Sequence, residues 1–208
     1  ELDTTALAAH CGSNDGFVSK WYDQSSNTNT AAQTNTANMP KIYDGTTGVV
    51  TENEKPAVDF DGSNDTLLTN QNIRTASAFA VGKSAISGRS TFFGATSIGN
   101  QYLRTDGTNI KFQNGLGSLT LTGQTSQSYN LIYLDNVSSS ASLANNGGSP
   151  VTATNLDTND IENFGIGRKS SQDFFNGTIQ EIICYQVSKS ANRTGIESNI
   201  ATFYGITI

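Results

Sequence analysis

The densest group of hard oxygen donors in the chain is Asp59-Phe60-Asp61-Gly62-Ser63-Asn64-Asp65. Val58 and Phe60 alternate with Asp59 and Asp61, so a strand here turns its apolar side chains one way and its carboxylates the other. Gly62 breaks that strand and drops Asn64 and Asp65 into the turn. Carboxylates this close repel unless a cation or hydrogen-bond donors lie between them. One reading is calcium, with Asp61, Asn64 and Asp65 as the side-chain ligands. The other is a turn in which Asp and Asn side chains cap their own backbone. An EF-hand is excluded, because its sixth position is Asn64 instead of Gly and its twelfth is Asn70 instead of Glu. The acidic loop 157–162 is a second, weaker calcium candidate, or a solvated surface. Glu181 stands alone among apolar neighbours. His10, the single histidine, has no nucleophile motif beside it and reads as structural.

These residues need elements to position them. The segment from Asp3 to Cys11 reads as a short helix with Asp3 as its cap, Leu2 and Leu7 inward, and Gly12 at its end. From Gly16 onward, runs of β-formers lie between turn clusters. They fall at 17–22, 41–43, 49–51, 57–60, 66–69, 78–81, 91–94, 101–104, 110–113, 118–122, 129–134, 141–144, 151–153, 164–167 and 178–185. Spacing this close indicates a sandwich or barrel, without βαβ units. Run 129–134 is apolar on both faces. Ile179, Ile183 and Tyr185 are expected to share a face with Glu181. Asp106-Gly107 and Asn146-Gly147 mark two hairpins. Residues 25–38 form a long polar loop, either a surface arm or a binding loop. A terminal helix opens at Ser190, carries Ile196, Ile200, Phe203 and Tyr204 as an inward stripe, and ends at Gly205. It is expected to close one edge of the sandwich with Phe203 buried.

The 208 residues suit one domain, 1–208. The formal net charge is −6 with no run of Lys or Arg, which argues against nucleic acid and anionic membrane surfaces as partners. No apolar stretch approaches the roughly 20 residues needed to span a bilayer, so no membrane insertion is expected. The single methionine is Met39 and the chain begins at Glu1, as expected for a processed product or a domain excised from a longer chain. Cys11 and Cys184 sit among apolar neighbours and are expected to be unpaired and buried.

Three stretches occur together: Trp21-Tyr22-Asp23-Gln24-Ser25 before an Asn-rich loop, Lys55-Pro56-Ala57-Val58-Asp59-Phe60-Asp61-Gly62-Ser63-Asn64-Asp65, and Phe175-Asn176-Gly177-Thr178-Ile179-Gln180-Glu181-Ile182-Ile183. In this order they resemble the concanavalin A-like lectin/glucanase superfamily, in its laminin-G-like branch. The resemblance implies an all-β fold: an antiparallel two-sheet β-sandwich of jelly-roll type, with short N- and C-terminal helices. Such domains occur in bacterial surface and secreted proteins and in phage structural proteins. An extracellular, cell-surface or virion location is therefore implied. The implied partner is a glycan, or a neighbouring virion or surface protein. Laminin-G-like domains also hold calcium at a loop rim, which bears on Asp61, Asn64 and Asp65. Similar domains carry a further strand-forming segment before the position of Glu1. Its absence implies truncation or a strand supplied by another chain, with an exposed sheet edge.

Glucanases of this fold carry Glu-x-Asp-x-Glu or Glu-x-Asp-x-x-Glu on one strand. Here Glu1-Leu2-Asp3 is followed by Thr5 and Ala6, and Asp59 and Asp61 lack a third partner. The Trp-Tyr-Asp-Gln-Ser stretch also resembles one in the catalytic domain of fungal α-L-arabinofuranosidases. That family's acid and nucleophile do not lie in the matching stretch, and its paired adjacent cysteines are missing. The expectation is a non-catalytic carbohydrate-binding or adhesion domain. The alternatives are a structural domain of a phage virion or surface array with no glycan ligand, and an arabinofuranosidase-like glycoside hydrolase whose carboxylates come from different strands. Sugar recognition needs planar polar side chains and an aromatic platform. Tyr102, Arg104, Asp106 and Arg168 are the candidates, and Trp21 reads as core.

Overall fold

Each alternating run becomes a strand in the computed structural model, which describes residues 2–97 and 100–208. Helix α1 (Thr4–Cys11) is followed by β1 (Gly16–Phe17), β2 (Lys20–Trp21), β3 (Ala31–Ala32), β4 (Lys41–Asp44), β5 (Gly48–Val49), β6 (Thr51–Glu52), β7 (Lys55–Pro56), β8 (Val58–Asp61) and β9 (Leu67–Leu68). The longer strands come next: β10 (Ser77–Ser84), β11 (Arg89–Ala95), β12 (Gln101–Asp106), β13 (Asn109–Asn114), β14 (Gly117–Thr122), β15 (Asn130–Val137), β16 (Ser140–Asn145) and β17 (Val151–Thr154). Then β18 (Phe164–Ile166), β19 (Asn176–Tyr185) and α2 (Arg193–Tyr204) complete the chain.

The strands form two antiparallel sheets. A nine-stranded sheet runs β1-β4-β8-β19-β10-β15-β16-β17, with β5 beside β4. An eight-stranded sheet runs β14-β13-β12-β11-β18-β9-β3-β2. β6 and β7 make a separate ribbon. The expected strand 17–22 is in fact two, because the chain crosses from one sheet to the other at Val18 and Ser19. Their main-chain groups bond Pro40 and Gln33. The polar stretch 25–38 is not loop throughout, since Ala31–Ala32 pairs with both Trp21 and Leu68 neighbours.

Phe60, Phe92, Phe93, Leu103, Phe112, Ile132, Leu134 and Phe175 fill the space between the sheets. Phe175 meets Phe92 at 4.7 Å and Phe60 edge-on at 6.1 Å. On the other face of the nine-stranded sheet, Phe79, Val81, Leu131 and Tyr133 pack under Ile200, Ala201 and Tyr204 of α2. The double-sided burial expected of run 129–134 follows from this arrangement.

Helix α2 therefore covers a sheet face, not an edge as expected. Its buried stripe is Glu197, Ile200, Ala201 and Tyr204. Phe203 points outward, 45% exposed, with the Lys55 ammonium over its ring at 4.4 Å. The stripe rotates because a charged residue can be buried when paired: Arg193 Nε lies 2.9 Å from Glu197, and the guanidinium sits 4.8 Å above the Tyr133 ring. Ser190 opens a three-residue 3-10 turn, and Asn192 occupies the cap position of α2. Gly205 ends α2 in the left-handed conformation as expected. In α1, Asp3 caps Ala6 at 2.9 Å, but Leu2 is exposed and Cys11 is its buried residue.

A bulge in β19 overturns one alternation. Val81 pairs with Glu181 and Gly82 with Ile179, leaving Gln180 as the extra residue. Ile179, Ile182 and Cys184 consequently face the inter-sheet core, and Ile183 and Tyr185 face α2. Both cysteines are free. Cys184 is only partly covered, and burial pushes its thiol up to about 12.

Ile200→Ala should lose about 2–4 kcal/mol of unfolding free energy, since it removes buried methylenes. Phe203→Ala should lose under about 1 kcal/mol. Urea unfolding of both variants checks this, and equal losses would show that α2 docks by a different face.

Candidate functional site

The outer face of the eight-stranded sheet carries three of the expected ligand residues. Alternation along β12 sends Leu103 into the core and turns Tyr102, Arg104 and Asp106 outward. The β13 register sets Lys111 opposite Arg104 and Gln113 opposite Tyr102. Residues 168–173 fold back over this face. Ser170 N–H donates to the Ala95 carbonyl at 2.8 Å, and both Ser170 and Asp173 have positive φ. Gly94 permits the approach: a Cβ there would stand 2.9 Å from the Lys169 Cβ.

The result is a packed charge network. Arg104 donates to Asp173 at 2.9 Å and to Asp106 at 2.7 Å. Arg89 lies 3.5 Å from Asp106 and 3.9 Å from Asp173, and Lys169 is 3.2 Å from Asp173. Both the Arg104 guanidinium and the Lys169 ammonium lie over the Tyr102 ring, at 4.7 and 4.5 Å. The Tyr102 hydroxyl donates to Gln113 at 2.7 Å, and burial raises its pKa. With Tyr102 3% and Arg104 4% exposed, these two side chains support the face from below. The groups open to solvent are Arg89, 57% exposed, together with the partly exposed Asp106, Lys111 and Gln113. Cations outnumber carboxylates here on a chain whose net charge is −6. Arg168, which begins the covering segment, is half-buried. Burial lowers its pKa, and its Nε has no hydrogen-bond partner among the described residues.

The 59–65 segment forms a capped turn. Asp61 Oδ1 accepts from the N–H groups of Ser63 and Asn64 at 2.7 and 3.2 Å, and Asp65 Oδ2 accepts from Asp61 N–H at 2.9 Å. Burial, with Asp61 and Asp59 nearby, pushes the Asp65 carboxyl up to about 6, against the pull of that N–H. One carboxylate oxygen of Asp61 and one of Asp65 are thus engaged by backbone amides. Among the described residues no group of three or more His, Cys, Asp or Glu is placed to hold a metal ion. In loop 157–162 the acidic side chains are exposed, while four successive carbonyls are held from inside. Asn136 donates to Asp157 O at 3.0 Å, Arg74 to Thr158 O, Asn114 to Asn159 O at 3.0 Å and Gln101 to Asp160 O at 2.9 Å. His10 is exposed on α1.

A second concavity, about 540 Å³, opens at the side of the sandwich between β19 and the stretch from Trp21 to Asn29. Arg74, Phe164 and Ile166 complete its lining. Trp21 packs on the core yet lines this cleft, so the core assignment covers half of its role. Asp23 caps the loop, accepting from Ser25 N–H and Asn29 N–H at 2.8 Å each. Burial raises its pKa, but those bonds outweigh it and hold the carboxyl below its ordinary value. Sequence reasoning had marked 25–38 as a possible binding loop but could not place β19 across from it.

No family model matches the chain, and no curated protein is recognisably similar to it. Solved structures do match in fold. The CBM40 module of the Ruminococcus gnavus IT-sialidase aligns with TM-score 0.55 at 12% identity, over 69% of this chain and 97% of that one. The same module bound to alpha2,3 sialyllactose aligns with TM-score 0.53 at 13% identity, over 67% and 94%. An arabinofuranosidase complexed with arabinofuranosyl-alpha-1,2-xylobiose aligns with TM-score 0.70 at 13% identity, over 95% of this chain and 53% of that one. The chain thus spans about half the length of that enzyme. These likenesses establish the β-sandwich fold alone, a fold that carbohydrate-binding modules and glycoside hydrolases share.

The raised Asp65 carboxyl has a stability consequence. Its folded-state pKa lies above the unfolded value of about 3.9, so the contribution from its proton is full below that value and lost as pH rises through about 6. Asp65→Asn keeps an acceptor for Asp61 N–H without the charge. The variant's melting temperature relative to wild type should therefore be higher at pH 8 than at pH 4. A difference independent of pH would refute the shift.

Proposed function

We propose that this chain is a non-catalytic carbohydrate-binding domain of an extracellular protein, taking an acidic sugar on the outer face of the eight-stranded sheet. The observation that carries the reading is the excess of cations there: Arg89, Arg104, Lys111 and Lys169 against Asp106 and Asp173. In this reading Arg89 and Lys111 meet the sugar carboxylate, and Asp106 and Gln113 bond its hydroxyls. Tyr102 and Arg104 hold that geometry from beneath, and Arg168 opens the covering segment. The CBM40 match lends support, because that module was captured with a sialylated ligand.

A glycan array with sialylated, uronic-acid and neutral sugars tests the reading. Acidic glycans should bind and their neutral counterparts should not, with affinity falling as salt rises. Lys111→Ala and Arg89→Ala should each weaken binding by about tenfold or more, the loss expected for a charge-assisted hydrogen bond. Both residues are surface groups, so their melting temperatures should stay close to wild type. No acidic-glycan binding would sink the proposal. Catalytic release of free sugar from sialyllactose or arabinoxylan would replace it with the hydrolase alternative.

Calcium at Asp61, Asn64 and Asp65 belongs to the same set of experiments. A site filled to 100 times its dissociation constant adds about 2.7 kcal/mol. Melts in millimolar calcium would then lie several degrees above melts in chelator. Superimposable curves would leave this segment as a turn only.

A further inference from the structure

Strand β19 is ten residues long, but its two neighbours treat it unequally. β10 pairs with it from Gly177 to Tyr185. β8 pairs only with Asn176, Gly177, Thr178 and Ile179. The shorter ladder has a local cause. Pro56 lacks an N–H, and Lys55 and Pro56 turn away into the β6–β7 ribbon. The Gln180 side-chain amide then takes the carbonyls of Glu52, Lys55 and Pro56 at 3.0, 3.0 and 3.1 Å, pinning that ribbon beside the bulge. Beyond it, no strand among the described residues lies along the second edge of residues 181–185.

In an antiparallel ladder successive residues bond alternately to either side. Every second residue of 181–185 therefore aims its N–H and C=O away from β10. No hydrogen bond from the described residues meets them there. That edge is one wall of the 540 Å³ cleft. Gln180, Glu181, Ile182, Ile183 and Cys184 line it consecutively, which side-chain alternation allows only if the cleft runs along the strand's edge. The opposite wall is Trp21 and the loop to Asn29, with Tyr22 63% exposed at its lip. Trp21, Ile73, Ile182 and Cys184 pack against the inter-sheet core yet are only partly covered, so the lining sets apolar side chains among its polar ones beside an edge short of a strand.

We propose that this groove accepts an extended peptide segment, which adds to residues 181–185 as a strand. Its alternate apolar side chains would cover Trp21, Ile73 and Ile182, and a basic residue would face Glu181. A strand is the occupant that satisfies edge amides and carbonyls and covers those apolar side chains at once. A five-residue segment of this kind spans roughly 17 Å at 3.3–3.4 Å per residue. Asp23 and Glu181 outnumber Arg74 among the charged groups of the lining, which favours a basic peptide over an acidic one. A second copy of the chain is a poor fit. Its own β19 edge is flanked by its own stretch from Trp21 to Asn29, which lines the same groove.

Trp21 is the single tryptophan and lines the groove, so its fluorescence reports occupancy. The probes are a blocked heptapeptide alternating valine and lysine, the same peptide N-methylated at alternate amides, and one alternating valine and glutamate. The valine–lysine peptide should shift Trp21 emission saturably and slow hydrogen exchange at the amides of 181–185. N-methylation on the bonding edge should weaken it by about tenfold or more. Glu181→Lys should reverse the preference between the lysine and glutamate peptides. Three results would overturn the proposal: unchanged exchange at 181–185, equal binding of the methylated peptide, or a Trp21 response to sialyllactose and to none of the peptides. The glycan site lies on a different sheet face, so failure of either proposal leaves the other standing.

Discussion

The nine-stranded sheet has to be covered twice. β10 and β15 carry Ala78, Ala80, Ile132 and Leu134 on one face and Phe79, Val81, Leu131 and Tyr133 on the other. Apolar surface on both sides cannot stay in water without forfeiting most of the driving force for folding. The eight-stranded sheet covers the first face and α2 the second. The roles of the remaining elements follow. The eight-stranded sheet, covered on its outer side only by the fold-back of 168–173, keeps a polar outer face, and that face carries the proposed sugar site.

A chain with 14% charged residues must satisfy its buried polar groups with amides and hydroxyls. Asn114, Asn136, Gln101 and Arg74 hold the carbonyls of 157–160 from inside, and Gln180 holds three carbonyls of the β6–β7 ribbon. These side chains fix loops that carry little apolar area of their own. The same economy explains the turn at 59–65, where Asp61 and Asp65 take backbone N–H groups that would otherwise lack acceptors. A carboxylate cluster in a sequence is thus as readily a turn device as a metal site.

Two surfaces stand out because they break the pattern of the rest. One concentrates cations on an acidic chain, braced by Tyr102. The other leaves strand edge and core side chains together in one groove. They lie on different parts of the sandwich, so a domain of this kind can hold a sugar on a sheet face and a peptide strand at its side.

The sequence by itself determined the strands, because a period of two is written in neighbouring residues. The runs at 101–104, 110–113 and 118–122 became β12, β13 and β14 with both ends extended by no more than a few residues. Asn146-Gly147 announced its hairpin because positive φ selects those residue types, and both have it. It also indicated the sandwich class and drew attention to Arg104 and Asp106. Tertiary structure decided what local pattern cannot encode. The bulge at Gln180 reversed the face of Ile179, because one extra residue shifts everything on one side of it. Burial of the Arg193–Glu197 pair rotated α2 and left Phe203 outside. Tyr102 was legible as an aromatic near charges, but only the fold-back of 168–173 set Lys169 and Asp173 beside it. Arg104 and Asp173, 69 positions apart in the chain, meet there through sheet register and loop packing, and no local signal carries that information.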